Sequence, residues 1–376
     1  MANVLMEGNE AVAYAAIRAG CSFFAGYPIT PATSILAKML ELLPPMGGAC
    51  LQGEDEIASI GYCLGAAMAG RKVLTATSGP GLSLYSEQIS FAVGSEIPLV
   101  IVNVQRLGPS TGSATKGADG DIQFMRWGNS GGLPVIVLAP VDAADCYRLT
   151  VEAFNLAERY RCPVFLASNK EIGLTRESID LDSIEVPEIV ERKKFTGKHE
   201  RYLPFGVDKG GDVADFLAIG EKVLVRQTSS THGADGYITN DISEIAWQRQ
   251  RMKDKLEKNV HKFSLYEYLP KKDAATLLIT YGVTGRAAKQ AILENSGKEV
   301  ALLVLKTLWP VPAQLIVETA AKYSNVVVVE MNLGQYVHEI ERILPDKTIR
   351  FLGRMDGSLI SPGQILEEVT HGQSAQ

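Results

Sequence analysis

Cysteine is scarce and scattered in this chain: its 376 residues hold five, Cys21, Cys50, Cys63, Cys146 and Cys162, with no C-x-x-C pair among them. That spacing excludes a zinc knuckle or an iron–sulfur ligand set built from this chain alone. The five read as reduced thiols packed in the interior. Long apolar runs are missing too, since nothing approaches the roughly 20 residues that cross a bilayer. The acids Glu7 and Glu10 sit inside helical periodicity at the start of the sequence, where a signal peptide would carry a basic flank. No membrane partner is expected, and the chain reads as cytoplasmic. Concentrated positive charge is missing too, since the Lys and Arg residues are dispersed. The formal net charge is -6 and the one basic cluster is Arg192-Lys193-Lys194, so nucleic acid is not an expected partner.

What is present is apolar content, 46% of the residues, enough for more than one buried core. From residue 5 to about 170, apolar runs alternate with helical patterns. The runs are FFAGYP, KVLTATS (72–78), IPLVIVNV (97–104), LPVIVLAP (133–140) and PVFLAS (163–168). Continuously apolar strands separated by helices predict an α/β fold with a parallel sheet covered on both faces, and active sites in such sheets lie at the strand C-terminal ends. Residues 171–240 are less regular and read as an arm on this first domain, which runs over 1–240. A charged helical connector follows at 241–267. The alternation then resumes at ATLLITYG (275–282), VALLVLK (300–306) and NVVVVEMN (325–332), giving a second, smaller α/β domain over 268–376. There is no fixed-period repeat and no low-complexity tract.

Several common signatures fail on context. Gly128-Asn129-Ser130-Gly131-Gly132 matches G-x-S-x-G, but the strand LPVIVLAP comes after the serine, whereas a nucleophile elbow needs it before. Gly79-Pro80-Gly81 follows a strand and opens a helix, yet it lacks the third glycine of a dinucleotide fingerprint and the Lys-Ser/Thr of a P-loop. It reads as a tight turn that lets backbone approach a ligand or a partner closely. The five histidines, His199, His232, His261, His338 and His371, are far apart and read as surface residues, His232 least clearly.

Three residues stand out. In GYPITPATS, Pro28 and Pro31 restrict the residue before each, so Ile29 and Thr30 fall in a rigid extended turn that presents Thr30. Alternatively Thr30 caps a helix beginning near Ala32. In EDEIASIGYCLGAA, Glu56 shares a helical face with Ile60, Cys63, Leu64 and Ala67, which puts a carboxylate at the end of an apolar stripe. Burial there would raise its pKa and let it share a proton with a ligand nitrogen. The alternative is a glutamate favoured by the helix dipole. Arg106 ends the third clear strand and begins a polar loop with Lys116, Asp119 and Asp121, where a guanidinium can clamp a carboxylate or serve as an ordinary ion-pair partner.

GYPITP, EDEIASI, TATSGPG, VQRLGPSTG and Arg126-Trp127-Gly128, in this order and spacing, resemble the α subunits of 2-oxoacid:ferredoxin oxidoreductases. The likeness is nearest to the 2-oxoglutarate branch (2-oxoglutarate synthases), with the 2-oxoisovalerate branch behind it. It implies a pyrimidine-binding domain of a thiamine diphosphate enzyme followed by a transketolase C-terminal-like domain that serves contact and architecture. It also implies that the site forms between chains. A β subunit would hold the diphosphate, Mg2+ and a [4Fe-4S] cluster, γ and δ subunits could join it, and ferredoxin would take the electrons.

By the same resemblance the residue at Glu56 contacts the aminopyrimidine ring nitrogen and promotes the imino tautomer that deprotonates the thiazolium carbon. Pro28, Ile29, Thr77, Ser78 and Gly79 would line the pyrimidine. Thr30, Arg106 and Lys116 would meet the substrate, Arg106 neutralising its 1-carboxylate. The reaction implied is oxidative decarboxylation of 2-oxoglutarate with coenzyme A to succinyl-CoA and CO2, or its reverse. 2-Oxoisovalerate, pyruvate or an aromatic 2-oxoacid are alternative substrates, and a split non-oxidative decarboxylase or an inactive scaffold subunit are readings of another class. Two departures are visible. Asn129-Ser130-Gly131-Gly132 stands where many relatives carry histidine-glycine-acid, and Asp119-Gly120-Asp121 is not the G-D-G motif of a diphosphate site.

Overall fold

The structure is a computed structural model that describes residues 3–198, 202–207, 211–220, 222–294 and 300–371. Its strands in chain order are β1 (Val4–Glu7), β2 (Phe23–Gly26), β3 (Ala49–Gln52), β4 (Val73–Thr77), β5 (Leu99–Gln105), β6 (Ile136–Leu138), β7 (Pro163–Asn169), β8 (Arg176–Ile179), β9 (Tyr266–Leu269), β10 (Thr276–Tyr281), β11 (Val300–Leu305), β12 (Thr307–Trp309), β13 (Asn325–Glu330) and β14 (Thr348–Gly353). A seven-stranded sheet has the order β12-β6-β7-β5-β4-β2-β3, and a five-stranded sheet has the order β14-β13-β10-β11-β9. In the first, every neighbouring pair is parallel except β12 on β6; in the second, β9 alone runs antiparallel. Parallel neighbours need crossovers, and helices supply them.

The central strands β4, β5 and β7 are buried at every residue. Their side chains divide by alternation. Val100, Val102 and Val104 face one core, while Leu99 and Ile101 face the other. Each of these two cores also takes residues from the second sheet: Leu278 and Val327 join the first, Leu277 and Val328 the second. The sheets are therefore welded through shared apolar layers. Chain from the second half also enters the first sheet directly, as β12 pairs with β6 through Thr307 and Leu138.

The helices begin where the sequence offers a cap. Asp55 accepts from the Ala58 N–H at 2.7 Å to start Glu56–Met68, Asp142 accepts from Asp145 to start Ala143–Tyr160, and Asp241 accepts from Glu244 to start Ile242–Glu257. The arm after residue 171 opens with β8, which pairs antiparallel with β1, and is otherwise mostly irregular. Buried cations hold it down. Lys72 donates to Val190 O and pairs with Glu191, Arg192 pairs with Glu158 at 2.8 Å, and Arg161 donates to Ala214 O at 3.0 Å. The segment also buries Ile179, Phe205, Phe216 and Leu217, and where it has no regular ladder, charge-assisted bonds to its carbonyls fix its course.

Candidate active site

Strands β2, β4 and β5 run parallel and end at Gly26, Thr77 and Gln105 on one edge of the sheet. The three turns that follow them lie side by side there, the position where open α/β sheets bind ligands. The Gly79-Pro80-Gly81 turn opens helix Gly79–Leu84. A Cβ on Gly81 would stand 2.1 Å from Thr77 Oγ1, 2.8 Å from Glu56 Cγ and 3.0 Å from Glu56 Oε1. Glycine is required because Thr77 and Glu56 both close on its Cα. Glu56 is the first residue of its helix and is 9% exposed, and the same helix face buries Ile60, Cys63, Leu64 and Ala67, the stripe that the sequence predicts. Among the described residues the Glu56 carboxylate has no hydrogen-bond partner. Ser78 is fully buried, and its Oγ is likewise without a partner.

The Tyr27–Ala32 turn sits beside this pocket. Helix Thr33–Leu42 has Ala32 at its N-cap position with no side-chain cap bond, so Thr30 does not cap it, and Thr30 is exposed while Pro28 and Ile29 are half-buried. Asn9, 1% exposed, fixes the turn by donating to Pro31 O at 2.8 Å and to Ser34 Oγ at 2.9 Å. Arg106 reaches the same turn, its Nη1 donating to Thr30 O at 2.6 Å. Arg106 is buried with Nε unpartnered. Burial lowers its pKa, and the nearby Asp121 carboxylate opposes that shift.

Asp121 joins the site on geometry that the sequence reading left unused. Its carboxylate oxygens lie 3.6 and 3.8 Å from where a Gly79 Cβ would stand, Asn103 Nδ2 donates to Oδ2 at 3.0 Å, and its own N–H donates to Gln105 Oε1 at 3.0 Å. Burial pushes its pKa up, while the Asn103 bond and Arg106 pull it back. Asp119, two residues earlier, is 2% exposed; Asn169 Nδ2 donates to its Oδ1 at 2.8 Å and its Oδ2 has no partner. Its pKa is pushed up to about 7, first by burial and further by the Glu330 and Asp121 carboxylates, with the Asn169 bond opposing. The residues that hold the site together from behind, Asn9, Asn103, Gln105 and Asn169, were missed because a buried amide leaves no mark in a hydropathy pattern.

Lys116 is exposed, and its stem packs where a Gly357 Cβ would stand 2.8 Å from its own Cβ, so it faces the second half of the chain. Ser130 of the G-x-S-x-G match is exposed, in a loop that follows helix Ile122–Trp127. No strand leads into it. The surface expectation fails for His232, which is 2% exposed, with its ring 3.8 Å from that of Phe205 and its Nε2 2.6 Å from Gln248 Nε2. Burial lowers its pKa. Its place between the arm and helix Ile242–Glu257 is structural. His199 and the side chain of His371 lie outside the described residues. Among the described residues no cluster of His, Cys, Asp or Glu has the arrangement of a metal site, and no helix is long and apolar enough to cross a membrane.

Residues 14–253 match the family described as pyruvate flavodoxin/ferredoxin oxidoreductase, thiamine diphosphate-binding, and residues 274–365 match pyruvate:ferredoxin oxidoreductase core domain II. The chain belongs to the 2-oxoacid:ferredoxin oxidoreductase family. It is 40% identical over 366 residues to the 2-oxoglutarate synthase subunit KorA of Methanocaldococcus jannaschii, covering 96% of this chain and 97% of that protein. The ketoisovalerate oxidoreductase subunit VorB of Methanothermobacter thermautotrophicus is 32% identical over 371 residues, covering 98% and 97%. Among solved structures, 2-oxoglutarate:ferredoxin oxidoreductase from Magnetococcus marinus, with 2-oxoglutarate, coenzyme A and succinyl-CoA bound, superposes with a TM-score of 0.92 at 32% identity. The match covers 98% of this chain and 65% of that one, so this chain spans about two-thirds of its length. A split-gene transketolase superposes with a TM-score of 0.57 at 13% identity, which shows the shared transketolase-like fold alone.

For a 2-oxoacid:ferredoxin oxidoreductase subunit the donor set at the sheet edge fits an aminopyrimidine. The Glu56 carboxylate, unbonded within the protein, stands against the Gly81 turn, and the buried Ser78 Oγ at the start of the same turn is left without a partner. Orphaned buried polar atoms cost free energy unless a ligand completes them. Among the described residues this edge offers no cluster of His, Cys, Asp or Glu that could hold a metal ion.

Proposed function

We propose that this chain is the pyrimidine-binding α subunit of a heteromeric 2-oxoglutarate:ferredoxin oxidoreductase, which converts 2-oxoglutarate and coenzyme A to succinyl-CoA and CO2, or runs the reverse. The observation that carries the reading is the convergence of Glu56 and Thr77 on Gly81 at the exit of β4, next to β5, whose own exit carries the Arg106–Thr30 bond. Glu56 and Arg106 share one sheet edge, which supports reading the first as the cofactor acid and the second as the carboxylate clamp. The choice of 2-oxoglutarate rests on relatives such as the 2-oxoglutarate synthase subunit of M. jannaschii, at 40% identity, against 32% for the ketoisovalerate subunit. 2-Oxoisovalerate is the second reading.

Thiamine diphosphate, when bound, supplies a nucleophilic carbon and an electron sink for loss of CO2. This chain's residues do the rest of the work on their side of the interface. Glu56 holds or accepts a proton at its carboxylate opposite the ring nitrogen. Pro28, Ile29, Thr77, Ser78 and Gly79 shape the pocket. Arg106 neutralises the substrate 1-carboxylate, Thr30 donates from its hydroxyl to the oxo-acid group, and Lys116 meets the outer end of the substrate. The diphosphate, Mg2+ and a [4Fe-4S] cluster belong to a partner β subunit, with γ and δ subunits completing the assembly, and ferredoxin receives the electron pair one electron at a time.

The test is viologen reduction by the anaerobic co-purified complex with coenzyme A and a panel of 2-oxoglutarate, 2-oxoisovalerate, pyruvate and aromatic 2-oxoacids. Reduction that needs coenzyme A and favours 2-oxoglutarate supports the reading, and a preference for 2-oxoisovalerate moves the substrate to the second one. Release of CO2 with no dye reduced replaces the oxidoreductase by a split decarboxylase.

A further inference from the structure

The resemblance assigns the second half of the chain to contact and architecture, yet its residues reach into the site loop. β13 ends at Glu330, and the turn Met331–Gln335 that follows it meets the segment Ala118–Gln123 through five hydrogen bonds. Asp119 N–H donates to Met331 O at 2.8 Å, and Asn332 Nδ2 donates to Asp119 O at 2.9 Å. Gln335 Nε2 donates to Gly120 O, Gln123 N–H donates to Gln335 Oε1 at 3.0 Å, and Gln123 Nε2 donates to Gln335 O. The backbone of Asp119, Gly120 and Gln123 is thus bonded to a turn more than 200 residues later in the chain.

That turn is itself rigidly held. Asn332 is fully buried, and its Oδ1 accepts from Gly334 N at 2.8 Å and Gln335 N at 2.9 Å. Its Nδ2 also donates to Tyr281 Oη at 2.7 Å; Tyr281 donates to Glu330 Oε2 at 2.7 Å, and Glu330 accepts from the N–H groups of Tyr336 and Val337. On the other side, Asp121 follows directly and carries the bonds to Asn103 and Gln105 described above. An unbroken chain of bonds therefore runs from the end of β13 to a carboxylate beside Gly79 and within the field of Arg106.

We propose that Asn332 and Gln335 are positioning residues of the substrate site, acting through Asp119, Gly120 and Gln123 to place Asp121 opposite Arg106 and the glycine turn. The inference rests on the functional reading above. Fixing this loop in advance removes an ordering cost that substrate binding would otherwise bear. Gln335 is the better residue to change, since it is half-buried while Asn332 is fully enclosed.

The experiment compares wild type, Gln335→Ala, Gln335→Glu and a control, Tyr323→Phe, in the assembled complex. The control removes the Tyr268–Tyr323 hydroxyl contact in the same domain but away from the turn. Two readouts are taken, hydrogen exchange by peptide and steady-state kinetics with 2-oxoglutarate and viologen. Gln335→Ala should speed exchange across residues 116–123 while β10, β11 and β13 stay protected, and should raise the KM for the 2-oxoacid about tenfold with a smaller change in kcat. Gln335→Glu keeps the acceptor for Gln123 N–H but sets a carboxylate oxygen against Gly120 O, so its KM should rise at least as far as that of Gln335→Ala. The control should lower thermal stability and leave KM alone. Exchange that rises evenly through the second sheet, or a KM that moves no more in Gln335→Ala than in the control, overturns the proposal. A wild-type complex that reduces no dye with any 2-oxoacid overturns the functional reading instead, and the exchange pattern still decides whether the turn holds the loop.

Discussion

The guanidinium of Arg106 donates from Nη1 to the carbonyl oxygen of Thr30 at 2.6 Å, which joins the exits of β5 and β2 by a single bond. Only the backbone of Thr30 takes part, so its exposed side chain is left for another partner. Thr30→Ala should therefore leave the turn intact. It should cut kcat/KM for the 2-oxoacid about tenfold to a hundredfold with the melting temperature unchanged. Steady-state kinetics beside a thermal melt checks this, and a change confined to the melt would make Thr30 a structural residue.

Arg106 should be less tolerant. Lysine keeps the charge but offers a point donor in place of the planar fork, so Arg106→Lys should raise the KM for the 2-oxoacid by about two orders of magnitude. A normal KM in Arg106→Lys would show that the bond to Thr30 O is the residue's whole role.

Glu56→Gln tests the proton-handling role without changing shape. The amide retains the burial and the contact with Gly81 but holds no carboxylate proton, so turnover should fall by about 10²–10⁴-fold. Subunit assembly, read by gel filtration, should be unaffected. Normal turnover would reduce Glu56 to a helix N-terminal residue favoured by the dipole.

Gly81→Ala places a Cβ 2.1 Å from Thr77 Oγ1 and 2.8 Å from Glu56 Cγ. Overpacking of this kind costs about 1–3 kcal/mol. Adding Thr77→Ala removes the closer clash and leaves the one with Glu56. The double variant should therefore regain part of the lost stability and none of the turnover, a non-additive pair measured by a thermodynamic cycle.

Much of this site was legible in the sequence for local reasons. The two prolines around Ile29-Thr30, the apolar stripe behind Glu56 and the glycine turn after β4 each act within a few residues, so their consequence can be read from spacing. The pairings that bring distant chain together are different. β1 and β8 meet across about 170 residues, β12 inserts beside β6, and β3 is a mostly exposed edge whose apolar run, Ala49-Cys50-Leu51, is only three residues long. Asp119 reads as a loop polar residue and Asn332 as the last residue of a strand, because composition carries no sign of polar burial; only the fold places them inside, with the strand ending at Glu330. His232 was misplaced for the same reason.

Asp119 gives a pH signature with a definite sign. Its carboxyl is enclosed by Asn169 from the first sheet, by Glu330 and the Asn332 turn from the second, by the Gly282 backbone and by Asp121, and its pKa is pushed from 3.8 up to about 7. Between those values the folded chain keeps a proton that the unfolded chain has released. The contribution of this group to stability therefore falls as pH rises through the window, by up to about 1.4 kcal/mol per pH unit, and levels off above about 7. Asp119→Asn carries no such proton and keeps an oxygen to accept from Asn169. Melts of the assembled complex at matched ionic strength should show Asp119→Asn gaining on wild type as pH is raised from 5 to 7 in steps, with the difference flat from 7 to 8. Because the slope is read and not the offset, a constant cost of the substitution does not disturb the test. If the difference instead stayed flat over that interval, Asp119 would already be ionised in the folded chain at pH 5, and burial would not hold its proton.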